Sequence, residues 1–298
     1  MNDYTGRKIA IMTDIHSLLE PTKAVLDDIS RRNITEIYSL GDNIGTGPNP
    51  FEVLNLLSEY GVKTVNGNSE EYAILGLAPF GYMFGTKAAN AQWTSQQITP
   101  EQLEKMKNNV HSYDLNVGGK IVGLCHFAND VRYDFNNSTW SYQSRIRNGD
   151  DNPQRQFYYT NSDADKEKVQ DVLEKCDSSK ILGFASAKND PLFKGKTVKF
   201  YDEIMQGHVH FKYLTQDENV IVRTVRAVGM AYGDDPNDCA SYIIIKEKNF
   251  GYDVEEILIP YDREKMLRSI DESNLPSKNE INKYVSRMWY LLYIKTIR

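Results

Sequence analysis

Short apolar runs alternate with amphipathic segments along the N-terminal part of the chain, and this alternation limits the possible fold more than any other feature. The runs at residues 8–13, 36–40 and 63–65 are short and apolar, as expected of buried strands. The segments between them, 20–32 and 50–60, carry apolar side chains at helical spacing. A β-α-β-α-β series of this kind predicts parallel strands joined by right-handed crossovers.

A polar residue follows each of these three predicted strands. Asp14, Asp42 and Asn68 come at or just beyond the ends of the apolar runs, with Gly41 and Gly67 beside the last two. In open α/β sheets, ligands bind beyond the carboxyl ends of the strands. We therefore expect the three polar side chains to converge on one rim of the sheet.

The rest of the chain predicts a more antiparallel β region. Residues 113–117 and 120–125 flank two glycines and are typical of a hairpin. Residues 127–163 are polar and aromatic with weak periodicity, which indicates a long loop or partial lid, and 165–176 is predicted to be helical. Further strand-like runs follow at residues 212–215, 220–224, 241–246 and 255–259.

We expect one main domain at residues 1–265, with a lid or insertion at about 127–201, and a C-terminal helical extension at 266–298. In the extension, Ser277 and Glu280 form a capping box before a helical run. Because amphipathic surface helices usually pack on their own domain, that packing is favoured over a homodimer contact or a lid. The apolar face of the run consists of Ile281, Tyr284, Val285, Met288 and Leu292.

Composition and charge exclude several classes of protein. The net charge is −6 and no dense basic stripe is present, which argues against nucleic-acid binding and against a nuclease. No run reaches the roughly 20 apolar residues of a membrane helix, and the N-terminus lacks the apolar run of a secretory signal. Cys125, Cys176 and Cys239 are odd in number and widely spaced, so we expect no disulfide framework and a cytoplasmic location.

Four of the five histidines occur in step with the polar residues at strand ends. In the spaced pairs Asp14-Ile15-His16 and His208-Val209-His210, side chains two residues apart in an extended segment point to the same side. His126 ends a predicted strand, whereas His111 lacks such a context and is interpreted as structural. Imidazole, carboxylate and carboxamide groups suit divalent Mn, Fe, Zn, Co or Ni. The candidate ligands, too many for one ion but suited to two ions that share Asp42, are Asp14, His16, Asp42, Asn68, His126, His208 and His210.

Each candidate ligand, taken alone, has an ordinary structural explanation. A single Asp or Asn after a strand is usually a turn or cap residue. A lone histidine is more often hydrogen-bonded within the fold than bound to a metal. The metal hypothesis therefore depends on the occurrence of all seven residues at strand ends and in spaced pairs.

Taken in order, these motifs resemble the five-block signature of the calcineurin-like metallophosphoesterases. The segment 41–50 is similar to the small bacterial branch related to diadenosine tetraphosphatases. The resemblance implies an α/β fold, specifically a four-layer α-β-β-α sandwich of two mixed sheets flanked by helices. The blocks, which span most of residues 8–246, are Asp14-Ile15-His16, Gly41-Asp42-Asn43, Gly67-Asn68-Ser69-Glu70, His126 and Gly207-His208-Val209-His210.

The resemblance also implies how two divalent ions would share the ligands. A hydroxide bridging the ions would attack the phosphate, and the catalytic residues would be Asp42, Asn68 and His126. Two divalent ions leave the site positive despite its two carboxylates and the hydroxide, so the site attracts phosphate although the chain is acidic. In this partition Asp14, His16 and His210 hold the first ion, Asn68, His126 and His208 hold the second, and Asp42 bridges them.

The sequence departs from the family pattern at two positions. Ser69 stands where many members have a histidine that assists the leaving group, and Phe127 follows His126 where glycine is common. Protonation of the leaving group would then come from metal-bound water, Ser69, a tyrosine or a lid residue. We therefore expect phosphoanhydrides and aryl esters to be cleaved faster than alkyl phosphates.

The predicted function is two-metal hydrolysis of phosphate esters or phosphoanhydrides in small phosphorylated molecules, with nucleotides or dinucleoside polyphosphates as candidate substrates. The alternatives are a phosphodiesterase acting on cyclic nucleotides or other small diesters, and a non-catalytic metal-binding scaffold. Ligands that a whole family shares do not identify a substrate. The candidate substrate contacts are Asn43, Ser69, Arg132, Tyr133, Arg145 and Tyr232.

Overall fold

The computed structural model describes most of the chain. The described residues are 3–75, 86–110, 112–126, 132–134, 139–141, 156–158, 170, 181–184, 188–189, 191–216, 221–230, 239–276 and 278–285.

The first of two large sheets contains the parallel strands predicted from the N-terminal pattern. Its strands are β1 (Tyr4–Met12), β2 (Glu36–Ser39), β3 (Lys63–Thr64), β14 (Cys239–Lys248) and β15 (Tyr252–Pro260), in the order β15-β14-β1-β2-β3. The pairs β1-β2 and β2-β3 are parallel, which confirms that prediction, whereas β14 pairs antiparallel with β1 and β15. The central strand β1 is completely buried at Ile9, Ala10, Ile11 and Met12.

Two helices form the crossovers between the parallel strands. They are α1 (Leu19–Arg31) and α2 (Pro50–Glu59). From α1, Val25 and Ile29 enter a core cluster that also contains Tyr242 of β14. The spacing of four residues places both side chains on the face that packs against the sheet.

Three further helices follow β3. They are α3 (Asn68–Leu75), α4 (Thr86–Gln97) and α5 (Pro100–Lys107). Thr99 and Gln102 form a capping box that satisfies backbone N–H groups at the start of α5. Proline at the first position of α5 removes an N–H that would have no helical partner.

The second large sheet is also mixed. Its strands are β4 (Ser112–Val117), β5 (Lys120–Cys125), β11 (Glu203–Gln206), β12 (Tyr213–Gln216) and β13 (Ile221–Thr224), in the order β12-β13-β11-β5-β4. The β4-β5 hairpin matches the prediction. The pairs β5-β11 and β11-β13 are parallel, so this half of the chain is less antiparallel than we expected.

Short strands lie in the segment that was predicted to be a loop or lid. Strands of three or four residues are too short to show a clear alternation in the sequence, which explains why this prediction missed them. The helix predicted at 165–176 lies outside the described residues except for Gln170, which is helical. The elements are β6 (Arg132–Asp134), β7 (Thr139–Ser141), β8 (Gln156–Tyr158), β9 (Ile181–Phe184), a 3-10 helix (Pro191–Phe193) and β10 (Lys199–Tyr201).

The two large sheets share one apolar core. Ile9 and Ile11 of β1 pack in the same cluster as Val122 and Leu124 of β5 and Met205 of β11. A second cluster, which includes α1 and α2, covers the other face of the first sheet. The predicted fold class, a mixed α/β protein with two mixed sheets and flanking helices, is therefore confirmed.

The turns of two hairpins, β4-β5 and β14-β15, meet at one end of this sandwich. The N–H of Gly251 donates to the carbonyl of Gly118 at 2.7 Å. Gly118 has φ +56°, and a Cβ there would lie 2.0 Å from the Gly251 oxygen. This contact therefore requires glycine at position 118.

Two C-terminal helices, α6 (Arg263–Glu272) and α7 (Lys278–Val285), pack on the same domain. Met266 and Ile270 of α6 share a core cluster with Leu18 and Met230. The packing of the whole extension stays a prediction, because Ser277 and residues 286–298 lie outside the described part. No helix in the described ranges combines the length and the apolar character needed to cross a membrane.

Candidate metal centre

Two loops of the first sheet run side by side at the carboxyl ends of β1 and β2. The N–H groups of Asp14 and His16 donate to the carbonyls of Gly41 and Asp42 at 3.0 and 2.8 Å. Asp14, His16 and Asp42 each have φ of 51°, in the left-handed region. Backbone contacts thus hold the predicted rim in a conformation that non-glycine residues seldom adopt.

A third loop, between β3 and α3, approaches these two closely. A Cβ at Gly67 would lie 2.3 Å from Oδ1 of Asp42, so glycine is required for this approach. The N–H of Ser69 donates to the same Asp42 oxygen at 2.8 Å. Asn68, the first residue of α3, is thereby placed beside Asp42.

The second sheet contributes the histidines that follow β5 and β11. The N–H of Gly207 donates to the carbonyl of His126 at 2.9 Å, and the N–H of His208 donates to Oδ2 of Asp14 at 2.9 Å. His208 and His210 have φ of 74° and 65°. These contacts join the rims of the two sheets, so candidate ligands from both meet in one place.

Asp14, His16 and His210 form the first donor group. The Nε2 atoms of His16 and His210 are 2.9 Å apart, and Nε2 of His210 is 3.4 Å from Oδ1 of Asp14. One donor atom from each residue lies within 4.8 Å of the other two. The group therefore offers two nitrogens and one oxygen to a single point.

Asn68, His126 and His208 form the second donor group. Oδ1 of Asn68 is 3.0 Å from Nδ1 of His208 and 3.2 Å from Nε2 of His126. The two histidine nitrogens are 3.3 Å apart. All three donor atoms thus point toward a common centre.

The carboxylate of Asp42 lies between the two groups. Its Oδ1 is 3.5 Å from Nε2 of His126, and its Oδ2 is 3.7 Å from Nε2 of His16. Only 3% of the side chain is exposed. Each oxygen of this carboxylate therefore faces a different donor group.

A backbone contact fixes which nitrogen of His126 faces the site. Nδ1 donates to the carbonyl of Leu40 at 2.9 Å, so Nε2 presents its lone pair to the centre. Nδ1 of His16 lies 3.4 Å from Oγ1 of Thr46, which leaves Nε2 of His16 to face the site in the same way. These partners outside the cluster orient the two imidazoles.

Burial and charge keep most of these groups in a form suited to binding cations. Burial lowers the pKa of His16 and of His208 to about 4, so both are neutral at pH 7. Burial raises the pKa of Asp14, but the nearby histidines outweigh it, and the pKa lies well below its usual range. For His126, burial lowers the pKa, whereas the carboxylates of Asp42 and Asp14 raise it to a net value above normal.

The sequence interpretation gave no role to Glu70, which supports the loops of the site. Its side chain is completely buried and accepts the N–H groups of Asp42 (2.9 Å), Asn43 (2.7 Å), Gly67 (2.7 Å) and Ile44 (3.3 Å). Burial and the nearby Asp42 carboxylate raise the pKa of Glu70 to about 7. The sequence signals were its place in the block Gly67-Asn68-Ser69-Glu70 and its position in a helix that has almost no apolar face.

The structure describes some of the predicted substrate contacts and not others. Asn43 is buried and its Oδ1 accepts a hydrogen bond from Ser39, so its side chain stabilises the loop. Ser69 is half-buried next to Asp42. For Arg132 and Tyr133 the structure describes the backbone in β6 but not the side chains. Arg145, Tyr232 and the histidine that we interpreted as structural, His111, lie outside the described residues.

The donor set fits divalent cations. It combines imidazole nitrogens with carboxylate and carboxamide oxygens, the ligands that borderline transition metals prefer. Two overlapping groups, Asp14-His16-His210 and Asp14-Asp42-His126, have donor atoms close enough to hold an ion. Buried carboxylates and histidines in such contact are best explained by a site for cations.

Comparison with known proteins identifies the family. Residues 7–212 match the model of the calcineurin-like phosphoesterases. The chain belongs to the calcineurin-like phosphoesterase family. The resemblance inferred from the five sequence blocks is thus confirmed, and this chain is a hydrolase of the metallophosphoesterase class. Family members typically bind divalent metals and act on phosphorylated substrates.

The chain is also similar to individual relatives and solved structures. The chain is 36% identical over 118 residues to the uncharacterized protein MJ0912 of Methanocaldococcus jannaschii, a match that covers 40% of this chain and about half (48%) of that relative. Among solved structures, it is similar to a metallophosphoesterase from Sphaerobacter thermophilus, with a TM-score of 0.58, 19% identity and coverage of 94% and 98% of the two chains. The hypothetical protein PH1004 from Pyrococcus horikoshii gives a TM-score of 0.60, with 14% identity and coverage of 93% and 97%. At these identities the structural matches support the fold alone.

Proposed function

We propose that this metallophosphoesterase hydrolyses phosphate esters or phosphoanhydrides with two divalent cations. The main support is the position of Asp42, whose two oxygens face separate donor groups. Asp14, His16 and His210 would hold one cation, and Asn68, His126 and His208 would hold the other. This is the partition that the sequence resemblance implied.

The cations, when bound, would supply an activated water as nucleophile and neutralise charge on the phosphoryl oxygens. The protein positions the ligands for them. Glu70 holds the backbone of Asp42, and the carbonyl of Leu40 fixes the ring of His126. Because these supports are buried, the ligands are arranged before any substrate arrives.

Ser69 limits the protonation of the leaving group. A serine hydroxyl is a much weaker acid than an imidazolium, so the alkoxide of an alkyl phosphate would leave slowly. Phosphates and phenolates leave without such help. We therefore propose phosphoanhydrides, in particular nucleotides or dinucleoside polyphosphates, as substrates.

An exposed aromatic side chain beside the donor groups supports a nucleotide substrate. Phe211 follows His210 directly and is 43% exposed. A base could stack on such a ring.

The short strands within residues 127–201 would form a lid over this rim. The helical extension at 266–298 could also form a homodimer contact. The widely spaced cysteines still favour the cytoplasm.

Metal analysis with a substrate panel tests the proposal. Purified protein is reconstituted with Mn, Zn, Co or Ni, its metal content is measured, and nucleotides, dinucleoside polyphosphates, aryl phosphates, alkyl phosphates and cyclic diesters are compared. We expect two ions per chain and faster cleavage of anhydrides than of alkyl phosphates. No bound ion after reconstitution would favour a scaffold, and cyclic diesters cleaved fastest would favour a phosphodiesterase.

Substitution of the bridging carboxylate gives a sharper test. D42A should lower turnover by roughly a thousandfold or more, because both donor groups lose their shared ligand. D27N, a change to an exposed carboxylate on α1, serves as the control. Circular dichroism checks folding. A D42A protein with near-normal activity would refute the assignment.

A further inference from the structure

Two cationic side chains share one carboxylate beside the first donor group. Nζ of Lys212 lies 2.8 Å from Oε2 of Glu256, and Nε of Arg226 lies 3.1 Å from Oε1 of the same residue. The lysine side chain is 54% exposed, whereas those of Arg226 and Glu256 are 13% and 18% exposed. The carboxylate of Glu256 therefore lies between the two cationic side chains, on the edge strand β15.

Backbone contacts place these three residues, called here the triad (Lys212, Arg226 and Glu256), next to His210. Lys212 is two residues beyond His210, so their Cα atoms are within about 7 Å of each other. Arg226 precedes Ala227, whose N–H donates to the carbonyl of His210 at 3.2 Å. Both cations thus branch from backbone that adjoins a residue of the first donor group.

The charge of the triad is not balanced. Two cations face one carboxylate, which leaves one positive charge surplus in a chain whose net charge is −6. The ion pair with Arg226 uses Nε, so the two terminal nitrogens of the guanidinium are not part of that contact. Such a group matches the bidentate geometry of a phosphate.

We propose that Lys212 and Arg226 form a subsite for the second phosphate of a phosphoanhydride substrate. This proposal rests on the proposed function, because the reacting phosphate must lie at the two donor groups. An alkyl or aryl monophosphate carries no second phosphate to reach the subsite. The triad would therefore select for diphosphate and longer chains rather than for phosphate esters in general.

Binding of non-hydrolysable phosphonates tests the subsite without requiring turnover. Methylenediphosphonate, which has two phosphorus centres, is compared with methylphosphonate, which has one, by calorimetry on the metal-loaded protein. The variants are K212Q and R226Q. K120Q is the matched control, because the side chain of Lys120 is also 54% exposed and also forms an ion pair, with Asp202. Lys120 begins β5, and His126 follows the other end of that strand.

Each variant should lose roughly tenfold in affinity for methylenediphosphonate, the size expected for one charged hydrogen bond. Binding of methylphosphonate should change less than twofold, and K120Q should match the wild type for both. Equal affinity of variants and wild type for methylenediphosphonate would overturn the subsite, as would equal losses for the two phosphonates. In the second case the triad would only tie β15 to the second sheet.

The same variants separate this proposal from the proposed function. On an active enzyme, KM for a nucleoside triphosphate should rise in K212Q while KM for p-nitrophenyl phosphate stays constant. If the metal-loaded wild type cleaves neither compound, the proposed function fails. The phosphonate measurement then still decides whether the subsite exists.

Discussion

Substitution of Glu70 by glutamine should test whether a residue that supports the loops, without binding a cation itself, affects the affinity of the site for cations. The carboxylate accepts N–H groups of Asn43 and Ile44 at Oε1, and of Asp42 and Gly67 at Oε2. Glutamine has nearly the same shape but keeps only one acceptor oxygen. Two buried N–H groups would then face an NH2 group that cannot accept from them.

The cost of this change can be worked out from those contacts. Each buried N–H left without an acceptor costs about 1–3 kcal/mol, so the two together cost about 2–6 kcal/mol. Glutamine also removes a charge that burial and Asp42 disfavour, which offsets part of this cost, so the free energy of unfolding should fall by about 1–3 kcal/mol. The loosened loops carry Asp42 and Asn68, so affinity for the cations should also fall by roughly 10–100-fold. Both effects should be present at pH 8, above the pKa of about 7 of the Glu70 carboxyl.

Denaturant unfolding and metal titration at pH 8 measure the two effects. E59Q, the same chemical change at an exposed position near the end of α2, is the control and should behave like the wild type. The reasoning would be refuted by an E70Q protein that unfolds within about 0.5 kcal/mol of the wild type and binds cations equally well. Lost stability with unchanged metal affinity would refute only the link to the ligands.

Three further predictions concern stability. Burial raises the pKa of Asp28, but hydrogen bonds from Arg32 and Tyr242 outweigh it and lower the pKa. The stability advantage of wild type over D28N should therefore be full above about pH 4 and vanish as the pH falls below it. Unfolding curves at several pH values that show a growing advantage on acidification would contradict this. In G118A the free energy of unfolding should fall by about 2–4 kcal/mol, because the new Cβ meets the backbone of the facing turn. In G119A, where the Cβ has open space around it, the free energy of unfolding should fall by only about 1–2 kcal/mol. Equal losses in denaturant unfolding would argue against the contact. A chelator should lower the melting temperature of the metal-loaded protein but not that of D42A, and no shift in either would count against bound cations.

The N-terminal half of the fold could be predicted because local patterns there coincide with tertiary structure. The predicted helix at 20–32 is observed as Leu19–Arg31, and the strand at 36–40 as Glu36–Ser39. The helix is long enough to show its period, and the short strand is an apolar run that lies between two helical segments and ends just before Gly41 and Asp42. The rim followed from the same pattern, since parallel strands must end on one edge.

The missed features depend on contacts that sequence periodicity does not encode. The parallel pairing of β5, β11 and β13 joins strands far apart in the chain, so their order is set by tertiary packing. Glu70 is similar, because its partners are backbone N–H groups from two other loops. The shared carboxylate of Glu256, on the edge strand β15, also joins residues that no local motif connects.

Five of the candidate ligands, Asp14, His16, Asp42, His208 and His210, have positive φ. A left-handed conformation costs a residue with a side chain roughly 1–2 kcal/mol, whether or not a cation is present. Asp14 and Asp42 also accept backbone N–H groups, which glycine could not do. Random mutants selected for heat resistance alone should therefore accumulate glycine at the three histidines of this set, and each such gain in melting temperature would remove a donor atom. Thermal tolerance and turnover thus compete at the same residues, and the sequence as it stands favours turnover.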